Sequence, residues 1–238
     1  EGLLILAVNK ATKFSSYFLE SDKSYEVKVE LGKSTDTDDS SGKIIFESNV
    51  ELSEKIIRES LFSFIGESEQ IPPFFSALKY QGKPLYKYAR EGQFINKPAR
   101  KIIIKEINDF KYSNKVCSFT VYCTKGTYIR SLARDLGERL KCGAHMIALK
   151  RIRQHNFKLS DAVSILEISK EKIIPIEAAF NNFKKIIINS EDAKKFINGV
   201  KNIYNDNPDN LYRIVNNEGI FLGIGQIKNR NLRHKQLV

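Results

Sequence analysis

Lys125-Gly126-Thr127-Tyr128-Ile129-Arg130-Ser131-Leu132-Ala133-Arg134-Asp135-Leu136-Gly137-Glu138 changes its hydrophobic period within a few residues. Just upstream, Cys117, Phe119, Val121 and Cys123 alternate with polar residues, the pattern of a half-buried strand. Downstream, Ile129, Leu132, Ala133, Leu136 and Leu140 recur at helical spacing and form one apolar stripe. Gly126 stands at the junction, where the backbone must turn from one element into the other. A strand that runs through a glycine into a helix sets Tyr128 and Arg130 beside a helix N-terminus, a common place for a ligand site. The competing reading places Arg130 and Arg134 on a solvated face opposite the stripe, paired with Asp135 or Glu138.

Toward the N-terminus, Tyr25, Val27, Val29 and Leu31 alternate as a second half-buried strand. The polar run Ser34–Gly42 follows and then a short strand at Ile44–Glu47. Asp36, Asp38 and Asp39 lack the downstream glutamate of a calcium loop and read as a hairpin turn. Ser53 can cap a helix with Ile56, Ile57, Leu61 and Phe64 on its apolar face, ended by Gly66. Residues 70–98 hold Pro72, Pro73, Pro84 and Pro98 and read as irregular. There, Tyr80, Tyr86 and Tyr88 interleave with Lys79, Lys83, Lys87 and Arg90. That mixture suits single-stranded RNA, with bases on rings and cations along phosphates; it also suits an ordinary loop packed on the body. Strands are expected over 101–112 and 115–124, and a helical stretch around 161–179. Residues 141–158 carry Lys141, Lys150, Arg151, Arg153 and Lys158 with no acid, either a cationic surface or a merely solvated run. The texture changes near 181. The tail, 181–238, reads as a small basic domain with a helix at 191–198 and strands at Tyr212–Val215 and Ile220–Ile227.

The charge balance narrows the function. Over 238 residues, 39 basic and 28 acidic side chains leave a net +11, which points to a polyanionic partner. The longest apolar run, Leu3–Val8, is far short of the roughly 18 residues of a membrane span. Cys117 and Cys123 lie on one strand face about 20 Å apart, too far for a disulfide, and read as reduced thiols of a cytoplasmic protein. His145, His155 and His234 form no ligand pair, so no metal is expected. Neither a P-loop nor a dinucleotide fingerprint is present, so no nucleotide cofactor is expected either.

Six collinear segments carry a family resemblance. They are Ala11-Thr12-Lys13-Phe14, Asp22-Lys23-Ser24-Tyr25, Leu31-Gly32-Lys33-Ser34-Thr35-Asp36-Thr37-Asp38, Ser76-Ala77-Leu78-Lys79, Gly126-Thr127-Tyr128-Ile129-Arg130 and Cys142-Gly143-Ala144-His145. In this order they resemble the TruB family, tRNA pseudouridine synthases acting on the T-loop. The resemblance implies an α+β chain. Residues 1–180 would be a pseudouridine synthase fold, a mixed β-sheet with flanking helices and a thumb-like insertion at about 70–98. Residues 181–238 would be a PUA-like β-rich domain that grips the acceptor end of tRNA. It further implies an isomerisation needing no cofactor: the N1–C1′ bond of the uridine at position 55 breaks, the base turns, and it rejoins through C5.

Site roles follow from the same resemblance. Tyr25 would stack on the flipped base, Tyr128 would contact the substrate near C5, and Arg130 would pair with the catalytic aspartate. Leu149 would line the uracil pocket, and Lys13 would lie near the cleft. The nucleophilic aspartate itself would fall just upstream of Glu1, in a Gly-His-Thr-Gly-Ala-Leu-Asp-Pro-type motif preceding Gly2-Leu3-Leu4. The chain is therefore expected to start inside a longer gene product. The expected partner is tRNA, bound by a monomer with no obligate protein partner. A catalytically silent RNA chaperone using the same cleft is the alternative, and a guide-dependent relative is a third reading that the short tail argues against.

Overall fold

The structure is a computed structural model and describes residues 1–204 and 207–238. A 3-10 turn (Asn9–Phe14) leads into a one-turn helix α1 (Ser15–Leu19). Strands β1 (Lys23–Leu31), β2 (Lys33–Thr35) and β3 (Ile44–Glu47) follow, with β2 and β3 forming the expected hairpin around the Asp-rich turn. Helix α2 (Glu54–Phe62) starts at Ser53, whose hydroxyl accepts from the Ile56 amide. It buries Ile57 and Leu61 but leaves Ile56 exposed.

Beyond Gly66 the chain forms β4 (Gly66–Gln70), then the two-residue pair β5 (Lys79–Tyr80) and β6 (Lys83–Pro84), and helix α3 (Leu85–Arg90). The stretch read as irregular thus holds a small hairpin and a helix. Its prolines stand where they do no harm: Pro84 directly precedes the first turn of α3, where no intrahelical N–H is needed. Strands β7 (Arg100–Ser113) and β8 (Val116–Cys123), helix α4 (Ile129–Arg139) and strand β9 (Ala144–Gln154) complete this part of the chain.

Contacts divide the chain into two units. The first comprises Glu1–Leu3 and Ser21–His155. Its sheet runs β9-β1-β8-β7-β4, neighbours antiparallel. Val27, Val29 and Leu31 of β1 and Cys117, Phe119, Val121 and Cys123 of β8 face Leu132, Ala133 and Leu136 of α4 in one buried cluster. All three cysteines are free and buried. Gly137 has a packing reason: a Cβ there would stand 2.2 Å from the Ala144 amide nitrogen, so only glycine lets α4 meet the start of β9.

The second unit comprises Leu4–Glu20 and Asn156–Val238. It contains β10 (Phe157–Lys158), β11 (Lys185–Ile188), α5 (Ser190–Ile197), β12 (Asn202–Ile203), β13 (Asn210–Asn216), β14 (Phe221–Lys228) and β15 (Asn231–Leu237). Its sheet runs β11-β13-β14-β15-β12, with β11 parallel to β13 and the other pairs antiparallel. Two differences from the sequence reading stand out here. The boundary falls after His155 rather than at 180, because Phe14 and Phe18 pack with Phe180, at ring-centroid distances of 5.4 and 5.8 Å, and tie residues 4–20 and 156–180 to the tail. The stretch 161–179 is a series of 3-10 turns (Leu159–Asp161, Ile165–Glu167, Lys170–Lys172, Ile176–Phe180), not a helix. Its isoleucines, at 165, 168, 173 and 174, are exposed and gain no packing, and Pro175 holds the residue before it out of helical geometry.

Candidate active site

The start of α4 is built from the turn that follows β8. Gly126 adopts φ +79°, a left-handed conformation that a side chain would strain. Thr127 donates its hydroxyl to the Thr124 carbonyl at 2.9 Å, closing the turn. Tyr128 is then extended, at φ −97° and ψ 114°, and occupies the N-cap of α4 without offering a side-chain cap. Gln70 holds it instead. The Gln70 amide donates to the Tyr128 carbonyl at 3.1 Å and accepts from the Tyr128 amide at 2.8 Å, from a side chain only 3% exposed.

At the second position of the helix, Arg130 is not a solvated surface residue. Its Nη1 donates to Asp39 Oδ2 at 3.0 Å and to the Thr37 carbonyl at 3.4 Å, and its Nη2 donates to the Phe75 carbonyl at 2.7 Å. These three bonds leave two of the five N–H groups of the guanidinium without a hydrogen bond among the described residues. Arg134 does parallel work. It reaches Asp38 at 3.3 Å, Asp135 at 2.7 Å and the Ile71 carbonyl at 3.0 Å, while Ser131 donates to the Ile71 carbonyl at 2.9 Å. Together these groups pin the Asp-rich turn and residues 71–75 to the helix. The expected pairing with Asp135 is present for Arg134, alongside a long 3.8 Å contact to Glu138.

The two turn carboxylates differ electrostatically. Burial works to raise the pKa of Asp39, but hydrogen bonds from the Ser41 hydroxyl (2.5 Å), the Ser41 amide (3.0 Å) and the Thr37 hydroxyl (2.9 Å), with the Arg130 charge, hold it below the ordinary value. Asp38 is pushed up to about 6. Burial outweighs the attraction of Arg134 and Arg130, and Asp135 and Glu138 add repulsion.

Tyr25 lies on the core-facing side of β1, half-buried, opposite Val121 of β8 and Arg151 of β9. Burial pushes its hydroxyl pKa up, and a hydrogen bond and the charge of Arg151 only partly offset this, so the ring stays neutral. Leu149 is opposite Val27, two residues from Arg151 on β9, and therefore shares the face of Tyr25. Leu149 also lines a recess of about 750 Å³ with Glu26, Lys28, Thr120 and Lys150, which includes neither Tyr128 nor Arg130. Glu1–Leu3 runs along β9: the Leu3 amide donates to the Arg151 carbonyl at 2.8 Å, and the Arg151 guanidinium donates to the Leu3 carbonyl at 2.7 Å.

The first unit therefore brings Tyr25 and Leu149 onto one sheet face and Tyr128 and Arg130 onto the head of α4. Lys13 is exposed on the 3-10 turn of the second unit. Sequence reasoning missed Gln70, Asp39 and Arg151. Nothing local marked Gln70 at the end of the polar run Glu67–Gln70, or Asp39 among its neighbours. Among the described residues no three His, Cys, Asp or Glu side chains gather to hold a metal, and no helix is long and apolar enough to cross a membrane.

Comparisons with known proteins give this α+β chain a family. Residues 1–129 match the family described as "TruB family pseudouridylate synthase (N terminal domain)". Residues 130–190 match "tRNA pseudouridylate synthase B C-terminal domain", and 185–238 match "Pseudouridine synthase II TruB, C-terminal". A protein of Clostridium kluyveri named tRNA pseudouridine synthase B is 39% identical over 237 residues, covering 95% of this chain and 82% of that protein. Its namesake in Clostridium perfringens is 38% identical, covering 100% of this chain and 85% of that protein. Among solved structures, a Cbf5-Nop10-Gar1 complex contains a chain with a TM-score of 0.70 at 20% identity, covering 97% of this chain and 70% of that one, a likeness of fold. The fold is that of a pseudouridine synthase. The chain belongs to the TruB family of pseudouridylate synthases.

Proposed function

We propose that the protein isomerises the T-loop uridine at position 55 of tRNA to pseudouridine, as a monomer in the cytoplasm and without a cofactor. The observation that carries the reading is Arg130. Its guanidinium is fixed by the Phe75 carbonyl and Asp39, beside a Tyr128 that is itself held by Gln70, and two of its N–H groups remain for a further carboxylate. A nucleophilic aspartate in contact with those groups would stay ionised and aimed. The target base is stacked within its loop and must leave the stack before C1′ can be attacked. Tyr25 then offers a neutral aromatic face against which the flipped uracil packs, and Leu149 closes the apolar wall on the same side. Tyr128 sits to take part in proton removal from C5.

By the resemblance, the nucleophile's motif would lie a few residues before Gly2-Leu3-Leu4. Glu1–Leu3 is bound to β9 at Leu149–Arg151, so a segment entering there enters beside the partners of Tyr25. The basic tail, with ten Lys or Arg against five acids over 181–238, supports the reading that the second unit grips the acceptor end.

Mass spectrometry of tRNA from cells lacking the gene tests this reading. Position 55 should be unmodified uridine, and the full-length gene should restore pseudouridine. Unchanged pseudouridine in the deletion strain would remove the enzymatic assignment and leave the chaperone reading.

A further inference from the structure

We propose that Arg100 binds a backbone phosphate of the RNA next to the nucleotide being modified; this rests on the RNA substrate proposed above. Arg100 opens β7 and is in register with Gln70 of β4, so the two side chains leave the same face of the sheet at the same level. On β7 that face continues through buried Ile102 and Ile104, and Arg100 ends the row. Gln70 grips the backbone of Tyr128. Arg100 flanks the same turn: its Nη1 lies 3.8 Å from where a Cβ on Gly126 would stand, and apart from the adjoining residues 125 and 127 no other described residue comes within 4 Å of that point. The absence of a side chain at Gly126 leaves the approach to the guanidinium open.

Among the described residues nothing neutralises this charge. The Arg100 Nε is buried and without a hydrogen-bond partner, and among the described residues no carboxylate lies within ion-pair distance of the guanidinium. Arg130 and Arg134, four and eight residues beyond Gly126, are each paired with aspartate. Withdrawing a guanidinium N–H from water with no acceptor is unfavourable, and buried donors are almost always satisfied. A missing acceptor for a permanent cation is an anion, and the planar fork matches the oxygens of a phosphate. A nucleotide whose base is flipped into a pocket leaves its flanking phosphates at the rim. Tyr128 is two residues from Gly126, so the phosphate that meets Arg100 belongs to that nucleotide or its immediate neighbour.

The test uses full-length protein, with Arg100→Met and Arg100→Lys, and a T-arm hairpin RNA. Single phosphates flanking the target are replaced one at a time by neutral methylphosphonate at 2′-O-methyl nucleotides. Arg100→Met should weaken the hairpin about tenfold at low salt and make the slope of log K against log salt shallower by about one. Arg100→Lys should recover part of that loss. One methylphosphonate should weaken the wild type yet leave Arg100→Met unaffected, because each change removes the same contact. Thermal melting of Arg100→Met should be unchanged or raised, since the substitution deletes an unsatisfied donor, whereas a structural role for Arg100 would lower it. Wild-type affinity and slope in Arg100→Met, or additive losses at every phosphate, would overturn the assignment. So would inorganic phosphate stabilising wild type but not Arg100→Met while hairpin affinity is the same in both. Failure of the wild type to bind the hairpin at all would instead defeat the RNA reading.

Discussion

Gln70→Leu should destabilise the first unit by about 2–4 kcal/mol, and the figure follows from what the amide does. It makes two hydrogen bonds to one residue, at 2.8 and 3.1 Å, from a side chain 3% exposed. Each bond contributes about 1 kcal/mol net, and a buried backbone group left without a partner adds about 1–3 kcal/mol. Leucine is close to glutamine in size, so no large cavity term is added. Tyr128 has no other cap and sits in an extended conformation at the helix start, so its amide has no intrahelical acceptor to fall back on. Urea denaturation should show a lower midpoint at unchanged slope. Single-turnover pseudouridine formation with enzyme in excess should fall further than hairpin affinity does, because Tyr128 is displaced while the basic surfaces remain. Gln70→Glu separates clasp from volume. It keeps the acceptor for the Tyr128 amide but faces the Tyr128 carbonyl with an oxygen, which repels unless it carries a proton. Its stability relative to wild type should therefore improve as pH falls from about 8 to 5, while Gln70→Leu should show no such dependence. A Gln70→Leu protein within about 0.5 kcal/mol of wild type and equally fast would refute the clasp.

Arg130→Ala in the full-length enzyme should slow single-turnover chemistry by about 10²-fold or more with little change in RNA affinity, and near-normal chemistry would demote Arg130 to a structural tie. Tyr25→Leu should cost about 1–3 kcal/mol in the stacked complex, measured as flipped-state affinity or rate, and Tyr25→Phe should retain most of it. Asp38 holds its proton more tightly folded, with a pKa of about 6 against an ordinary 3.8, so wild type is favoured at low pH and loses that contribution as pH rises through about 6. Asp38→Asn should therefore gain on wild type between about pH 4 and 7, by at most about 3 kcal/mol, in urea melts at each pH; a loss over that range would contradict the sign. Phe180→Ala should destabilise the second unit by about 3–5 kcal/mol, since Phe180 is fully buried among Phe14, Phe18 and Tyr17, and a loss under about 1 kcal/mol in a thermal melt would show that residues 4–20 are not anchored there.

The periodic elements could be read from the chain because one residue row faces one core. Strands β1, β7 and β8, helix α4 and the cap at Ser53 carry that signal directly. Strand β9 did not, because its polar residues Lys150, Arg151 and Arg153 are half-exposed or exposed and its apolar ones do not alternate cleanly. The helix expected at 161–179 failed for the opposite reason: apolar residues were present, but Ile165, Leu166, Ile168, Ile173 and Ile174 stay exposed, and the packing comes at the far end, at Ile176 and Ala179. Domain membership of residues 4–20 depends on an aromatic cluster joining segments some 160 residues apart in sequence. Of the site, Tyr25, Tyr128 and Arg130 came from collinear motifs and Leu149 from the resemblance those motifs carry, and their fixing partners did not. Gln70, Asp39 and Phe75 act through contacts 55 to 91 residues distant in sequence.

Those partners also explain how so much positive charge can gather at one helix start. The N-terminus of α4 carries the positive end of the helix dipole, which disfavours arginine in the first turns. Arg130 and Arg134 both stand there, and their aliphatic stems are covered, each side chain being 23% exposed. The arrangement is stable because the Ser34–Gly42 turn supplies Asp39 and Asp38 as counter-charges, and α4 itself supplies Asp135. The turn is in its own right stitched to β9, with Met146 donating to the Asp38 carbonyl and the Ser40 amide donating to the Met146 carbonyl, both at 3.0 Å. It is therefore a fixed counter-ion rather than a mobile hairpin tip. The lowered pKa of Asp39 keeps that counter-ion charged across the physiological range, while Asp38, nearer to titrating, contributes less dependably. Arg130 is thus oriented before any substrate arrives, and the ordering entropy that a free arginine would lose on meeting a catalytic carboxylate has been met in folding.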